Sequence, residues 1–388
     1  MHNPTNRPVM DMDKVLILTE TIGGNGHYQA ARSLYQGLSQ VEPNLHAEIC
    51  CGMHRVSRPL EQLTRTVYLN TLQYAPALWG AAYSREGEIS DRFRASLGKL
   101  LSRRLQEWLE EMQPDVVVCT HAFCLSAMGV IKERMGDRFR LGAAITDFDV
   151  NGFWVHPEVD FYLVAHENVA KKIRRRFGVP DQLIFRTGIP IDPDFSRPQP
   201  PKTVLRRMLG LDPDRFTILL MGGGIGLGPI EECLHHFRRL LPAAQLVVIT
   251  GKNRNLYERL QERFAGDPRI RLYGFVDSMV HFMNAADIIV SKPGGLSSSE
   301  ALACGLPLMI CQPIPGQEER NSRFLMRKGV ALRQDEPEAL ARQILSLMEN
   351  PVLLEEMSRR ARELGKPDSS LAGARVIQSH LLMKSRPV

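Results

Sequence analysis

One unit occurs twice in this chain: a compact apolar run, a glycine-rich loop, then apolar residues at helical spacing. In the first copy KVLILT (Lys14 to Thr19) leads into ETIGGNGH, after which Tyr28, Ala31, Leu34, Tyr35 and Leu38 recur three and four apart. In the second, TILLM (Thr217 to Met221) leads into GGGIGLG (Gly222 to Gly228), and Ile230, Cys233, Leu234, Phe237, Leu240 and Leu241 share one helical face. A short apolar run bounded by turn residues fits a strand buried on both faces, and the three-four spacing fits a helix with one buried face. DVVVC, LGAAI and FYLVA follow in the first half, and QLVVIT, ADIIV and PLMIC in the second. Strands alternating with helices imply parallel sheets covered on both sides. The expected class is therefore α/β: two doubly wound, Rossmann-like domains facing a cleft.

The 388 residues, 44% of them hydrophobic, suffice for two cores. The proline-rich SRPQPPK (Ser196 to Lys202) marks the linker. We expect an amino-terminal domain over 14–197, a second over 202–365, and a terminal helical segment over 366–388. In that segment Leu371, Ala374, Ile377, Leu381 and Leu382 recur on one side.

Doubly wound sheets bind ligands at the carboxyl ends of their strands, and the informative glycines all fall there. GGNGH (Gly23 to His27) lets backbone N–H groups approach an anion at a helix start. Its spacing is not that of a dinucleotide fingerprint, which argues against an NAD-dependent dehydrogenase. His27 can accept a proton from a substrate hydroxyl, or simply hydrogen-bond locally. GGGIGLG lacks the Lys-Ser/Thr end of a P-loop but can present donors to a diphosphate. KPGG (Lys292 to Gly295) follows ADIIV, with Ser297, Ser298 and Ser299 as expected helix caps. Glu300 is expected near the first turn, where a carboxylate can accept both hydroxyls of a ribose or serve as a cap alone. In PIPGQEERN, Gln317 and Glu318 suit sugar hydroxyls, which donate and accept together.

KPGGLSSSEALACGLPLMICQPIPGQEERN resembles the donor motif of glycosyltransferase family 28. The similarity points to the branch of monogalactosyldiacylglycerol synthases and processive diacylglycerol glucosyltransferases. The glycine loop with its histidine, ITDFDVNGFWVHPEVDFYLVA, FRTGIPIDPDF and YGFVDSM resemble further segments of that branch in the same order. The resemblance implies a GT-B fold and inverting transfer of a hexose from a UDP-sugar to a lipid such as diacylglycerol. It implies no cofactor and no catalytic metal. The amino-terminal domain would hold the lipid acceptor and the second domain the UDP-sugar. Glu300 would hold the ribose, backbone around Phe275 and Val276 the uracil, and Gln317 and Glu318 the hexose. Gly222, Gly223, Gly224, Gly226, Gly294 and Gly295 would approach the diphosphate. His27 would be the base, with Gly24, Gly26, Asp147 and Arg186 as phosphate or acceptor contacts. Arg186 is a candidate for stabilising the departing UDP. Asn151 departs from the branch, whose bacterial members commonly carry histidine there, and an amide cannot titrate. A UDP-hexosamine 2-epimerase and a non-catalytic nucleotide-sugar sensor share the architecture and stand as alternatives.

The balance of charge is +6 with a pI near 9.0, which fits nucleotide phosphates or an anionic membrane surface. No nucleic-acid module is recognisable. The first residues lack the apolar core of a secretory signal. Seven cysteines without CxxC spacing read as reduced core residues, with neither a disulfide framework nor a zinc site. LEQLTRTVYLNTLQYAPALWGAAY (Leu60 to Tyr83), with Arg65 and Arg85, reads either as a membrane-interface element or as a helix packed on its own domain. The expected location is cytoplasmic and peripheral, on the inner face of the membrane.

Overall fold

The computed structural model describes residues 13–21, 25–59, 61–62, 64, 66–67 and 104–384. The aromatic stretch Leu60 to Tyr83 lies outside them except for 61, 62, 64, 66 and 67. Among the described residues no helix is long and apolar enough to cross a membrane. All seven cysteines are free of disulfides.

The first sheet holds β1 (Lys14–Thr19), β2 (His46–Cys51), β3 (Val116–Cys119), β4 (Arg140–Ala144), β5 (Phe161–Leu163) and β6 (Ile184–Phe185). Its order is β2-β1-β3-β4-β5-β6, and every pairing is parallel. The second holds β7 (Thr217–Met221), β8 (Gln245–Ile249), β9 (Ile270–Tyr273), β10 (Ile288–Ser291), β11 (Leu308–Ile310) and β12 (Ala331–Arg333). Its order is β12-β11-β10-β7-β8-β9, again all parallel. The central strands β1, β3, β7 and β10 are the apolar runs of the sequence, with little or no exposure. Burial on both faces is what selects those uninterrupted Val, Ile and Leu runs.

The order in which strands are added reverses beside the first strand of each sheet: between β1 and β3, and between β7 and β10. There the neighbouring loops diverge to opposite faces and leave a crevice at the strand ends. The Gly26–Val41 helix leaves the first crevice, and the Gly295–Ala303 helix leaves the second. The two crevices face one another.

The Ser369–Lys384 helix packs on the first domain. Ala374, Ile377 and Leu381 join Val15, Ile17, Ala31, Leu34 and Leu38 in one apolar cluster. Gln378 Nε2 donates to Glu42 at 2.9 Å, and Ser369 Oγ accepts from the Ile191 backbone N–H at 3.2 Å. The helix that follows the second domain in sequence therefore completes the core of the first.

Candidate functional site

A single cleft runs between the two switch points. Gly222, Gly223, Gly224, Phe275, Val276, Gly294, Gly295, Glu300, Gln317 and Glu318 line one wall, and Gly26, His27 and Asp147 the other. These residues are more than 250 positions apart at the extremes, and the topology brings them together.

His27 opens the first helix one residue after Gly26. Its Nδ1 lies 2.9 Å from the Thr120 carbonyl oxygen at the end of β3 and 2.9 Å from Thr146 Oγ1 beyond β4. A carbonyl can only accept, so Nδ1 carries the proton and the lone pair is on Nε2. The Thr120 hydroxyl donates back to the His27 carbonyl at 3.1 Å. The His121 ring meets the His27 ring edge to face, 4.6 Å between centroids. Burial pushes the His27 pKa below its ordinary value, opposed by the charge of Asp147 and by the bond to Thr120. A neutral, tautomerically fixed imidazole is the form a general base needs.

The opposite wall is built from backbone. The helix after β10 starts at Gly295, with Gly294 as its N-cap. That is earlier than the serines imply, so Ser297 to Ser299 sit inside the helix and cap nothing. Ser299 Oγ donates to the Gly295 carbonyl at 2.9 Å, and Ser298 is buried. Glu300 consequently falls in the second turn, beyond the reach of the first-turn dipole. Its carboxyl lines the cleft, and burial, with Asp192 adding to the effect, pushes it up to about 8. Gly295 has a packing reason for being glycine. A β-carbon there would lie 1.8 Å from the Thr146 carbonyl oxygen of the opposite domain. The first turn of this helix thus touches the strand end that also holds His27.

At the end of β11, Gly316 precedes the Gln317–Arg327 helix with φ of +102°. Gln317 and Glu318 face the cleft from its first turn. Glu318 Oε2 accepts the Ile314 backbone N–H at 2.7 Å, pinning the proline loop. Burial raises the Glu318 pKa, and Lys292 opposes the rise. Burial likewise lowers the Lys292 pKa, against the pull of Glu318.

One expected site residue, Arg186, is not among the residues that line the cleft. Arg186 directly follows the edge strand β6. Its Nε donates to Glu167 at 2.8 Å, its other nitrogens to Asp181 and to the Ile184 carbonyl. Nearby acids of its own domain satisfy the guanidinium. Gly226 is a turn glycine at φ +62°, where a β-carbon would lie 2.2 Å from the Thr250 carbonyl oxygen. Loop packing requires glycine there, between Ile225 and Leu227 of the cleft lining. Gly24 lies outside the described residues.

Four residues at or behind the cleft were not assigned from sequence. Lys292 and Arg32 line the cleft and bring positive charge to it. Thr146 shares His27 Nδ1. Asn321 is fully buried between the domains. Lys292 opens KPGG, at the end of β10, and that position was its signal. Asn151 is buried and caps the short Gly152–Trp154 turn, accepting from the Phe153 N–H at 3.1 Å.

Comparison with known proteins agrees with this architecture. The family model described as monogalactosyldiacylglycerol (MGDG) synthase matches residues 27–191, and that described as glycosyl transferases group 1 matches 204–364. A processive diacylglycerol beta-glucosyltransferase of Bacillus mycoides (strain KBAB4) is 31% identical over 384 residues, covering 96% of this chain and 97% of the relative. The protein of the same name from Bacillus cereus (strain AH820) matches to the same extent. Among solved structures, Acinetobacter baumannii MurG superposes with a TM-score of 0.60 at 14% identity, covering 95% of this chain and 99% of that one. A Neisseria meningitidis UDP-GlcNAc 2-epimerase bound to UDP-GlcNAc gives 0.59 at 15%, covering 95% and 100%. At such identities the structures speak for the GT-B fold alone. The sequence relatives go further: the chain belongs to glycosyltransferase family 28, in the branch of monogalactosyldiacylglycerol synthases and processive diacylglycerol glucosyltransferases.

Proposed function

We propose that this enzyme transfers a hexose from a UDP-sugar to a membrane lipid hydroxyl, such as that of diacylglycerol, with inversion at the anomeric carbon. The carrying observation is His27, held as the Nδ1–H tautomer on the wall facing the glycine loops. In this reading the lipid oxygen attacks C1 of the hexose while His27 Nε2 takes its proton. The bond from C1 to the β-phosphate oxygen breaks, and UDP leaves with the electron pair. Amides of Gly222–Gly224 and Gly294–Gly295 would meet the growing charge, with the Gly295–Ala303 helix dipole behind them. Lys292 takes the cationic part that sequence reading gave to Arg186. Glu300 would bind the ribose, the Phe275–Val276 backbone the uracil, and Gln317 and Glu318 the hexose. Names of the relatives support the lipid acceptor. The domain over 14–197 would receive the lipid and that over 202–365 the nucleotide sugar.

Attachment to the inner face of the membrane, through an anionic surface, belongs to the same reading. The charge of +6 supports it. So does the Glu167–Phe177 helix, which carries Lys171, Lys172, Arg174, Arg175 and Arg176.

The test is to incubate the protein with diacylglycerol vesicles and each UDP-hexose, and to weigh the lipid product. A glycosylated lipid is expected. Conversion of UDP-N-acetylhexosamine to its 2-epimer without lipid would instead establish the epimerase reading. UDP-sugar binding with neither product would establish a sensor.

A further inference from the structure

Asn321 is fully buried, and its amide reaches both domains. Nδ2 donates to Asp147 Oδ1 at 3.0 Å and to the Pro293 carbonyl at 3.1 Å. Oδ1 accepts the Phe148 backbone N–H at 3.0 Å. Two of these bonds cross to the segment after β4 in the first domain. The third holds the loop after β10 in the second. Asn321 also stands one turn after Gln317 on their shared helix, which places it directly behind the hexose end of the cleft.

The neighbours of Asn321 join the same two segments. Arg320 donates to Asp149 at 3.1 Å. Phe324 stacks on Phe148, 5.0 Å between centroids and 11° between planes. The strip Asp147–Asp149 is thereby fastened along one face of the Gln317–Arg327 helix. Asp147 is the member of that strip that lines the cleft, together with His27, and it directly follows Thr146, whose hydroxyl lies 2.9 Å from His27 Nδ1.

The residue type matters. An amide offers two donors and an acceptor to two acceptors and one donor. An apolar residue would leave the Phe148 N–H and an Asp147 oxygen buried without partners, and a carboxylate would face Asp147 with like charge.

We propose that Asn321 is a positioning residue for glycosyl transfer. It holds Asp147 beside His27 and ties that pair to the helix start that contacts the hexose, so that base and donor sugar share one frame. The proposal rests on the transfer reading above.

The experiment is a double-mutant cycle on the full chain. Asn321→Ala is expected to lower kcat about tenfold or more, with KM for UDP-sugar and affinity for UDP within about threefold of wild type. Asp147→Asn is expected to lower kcat as well. In the Asp147→Asn background the second change adds less than about twofold, because the group it positions is gone. Fully additive losses, or wild-type kcat in either single variant, would overturn the proposal. Should Asn321→Ala fail to melt cooperatively, Asn321→Ser replaces it in the cycle, with the same outcomes deciding.

Hydrogen exchange at the Phe148 amide supplies a readout independent of turnover. It is expected to be about tenfold faster or more in the variant than in wild type. Unchanged exchange would remove the cross-domain bond and the proposal with it. Absence of any lipid product from wild-type protein would instead count against the transfer reading itself, whatever the exchange shows.

Discussion

The two switch points use the same loop after the first strand of each sheet, but they fill it differently. After β1 the loop delivers a side chain, His27, and the neighbouring strand ends orient it through Thr120 and Thr146. After β7 and β10 the loops deliver backbone: Gly222 to Gly224 and Gly294 to Gly295 line the cleft with almost no side-chain chemistry. Proton transfer needs one titratable group held in one tautomer. A diphosphate needs several donors with little bulk around them. On the proposed reading one architecture yields a wall that acts and a wall that receives, and the side chains on the receiving wall include Lys292, Glu300, Gln317 and Glu318.

Substitutions can break this division or sharpen it. His27→Ala should have the largest effect, a loss of about a hundredfold to ten-thousandfold in turnover. Its affinity for UDP, measured calorimetrically, should stay near wild type. Near-normal turnover would take the base away from the acting wall. Because the His27 pKa is lowered, its basic form persists on acidification, and the acid limb of kcat/KM should fall below the ordinary histidine value of 6.5. Lys292→Met should come next, with kcat/KM for UDP-sugar reduced about a hundredfold. An effect confined to the lipid substrate would move Lys292 to the other wall.

Glu300 gives a smaller, pH-dependent effect. With a pKa pushed up to about 8, it is mainly protonated at pH 7 and ionises as the pH rises through that value. Charged acceptors bind hydroxyl donors more strongly. UDP affinity should therefore rise severalfold between about pH 7 and pH 9, and Glu300→Gln should flatten the trend. A trend that survives in Glu300→Gln would assign it to another group. Arg186→Ala should do least. UDP affinity and turnover should remain within about threefold of wild type, since partly exposed ion pairs contribute little. A larger loss of UDP affinity would return Arg186 to the site.

Legibility followed burial. All eight strands expected from apolar runs are present, and they form the interiors of the sheets. The four without such a run, β2, β6, β9 and β12, are the four edges. An edge strand is covered less: HAEICC in β2 stays partly exposed along its length, and IRLY in β9 carries Arg271. Neither needs the run that marks a central strand. At the site, glycines at strand ends were legible because turn chemistry is local. The pairing of Arg186 with Glu167 on the preceding helix and with Asp181 five residues upstream was not legible, because it depends on how that helix packs beside β6. Asn321 sat unassigned inside a quoted motif, since its partners lie 28 and more than 170 residues away. The serines of SSSEA looked like caps only because the helix start was placed too late. Gly295, pressed against Thr146, fixes the true one.

The Ser369–Lys384 helix makes the second domain an insertion within the first. The face of Ile17 and Leu34 has no lid until residues beyond the whole of the second domain have been made. On the ribosome, the carboxyl-side domain can therefore settle first while its predecessor waits half-built. That face of the first core closes last, through contacts spanning more than 330 residues, a separation that favours slow completion.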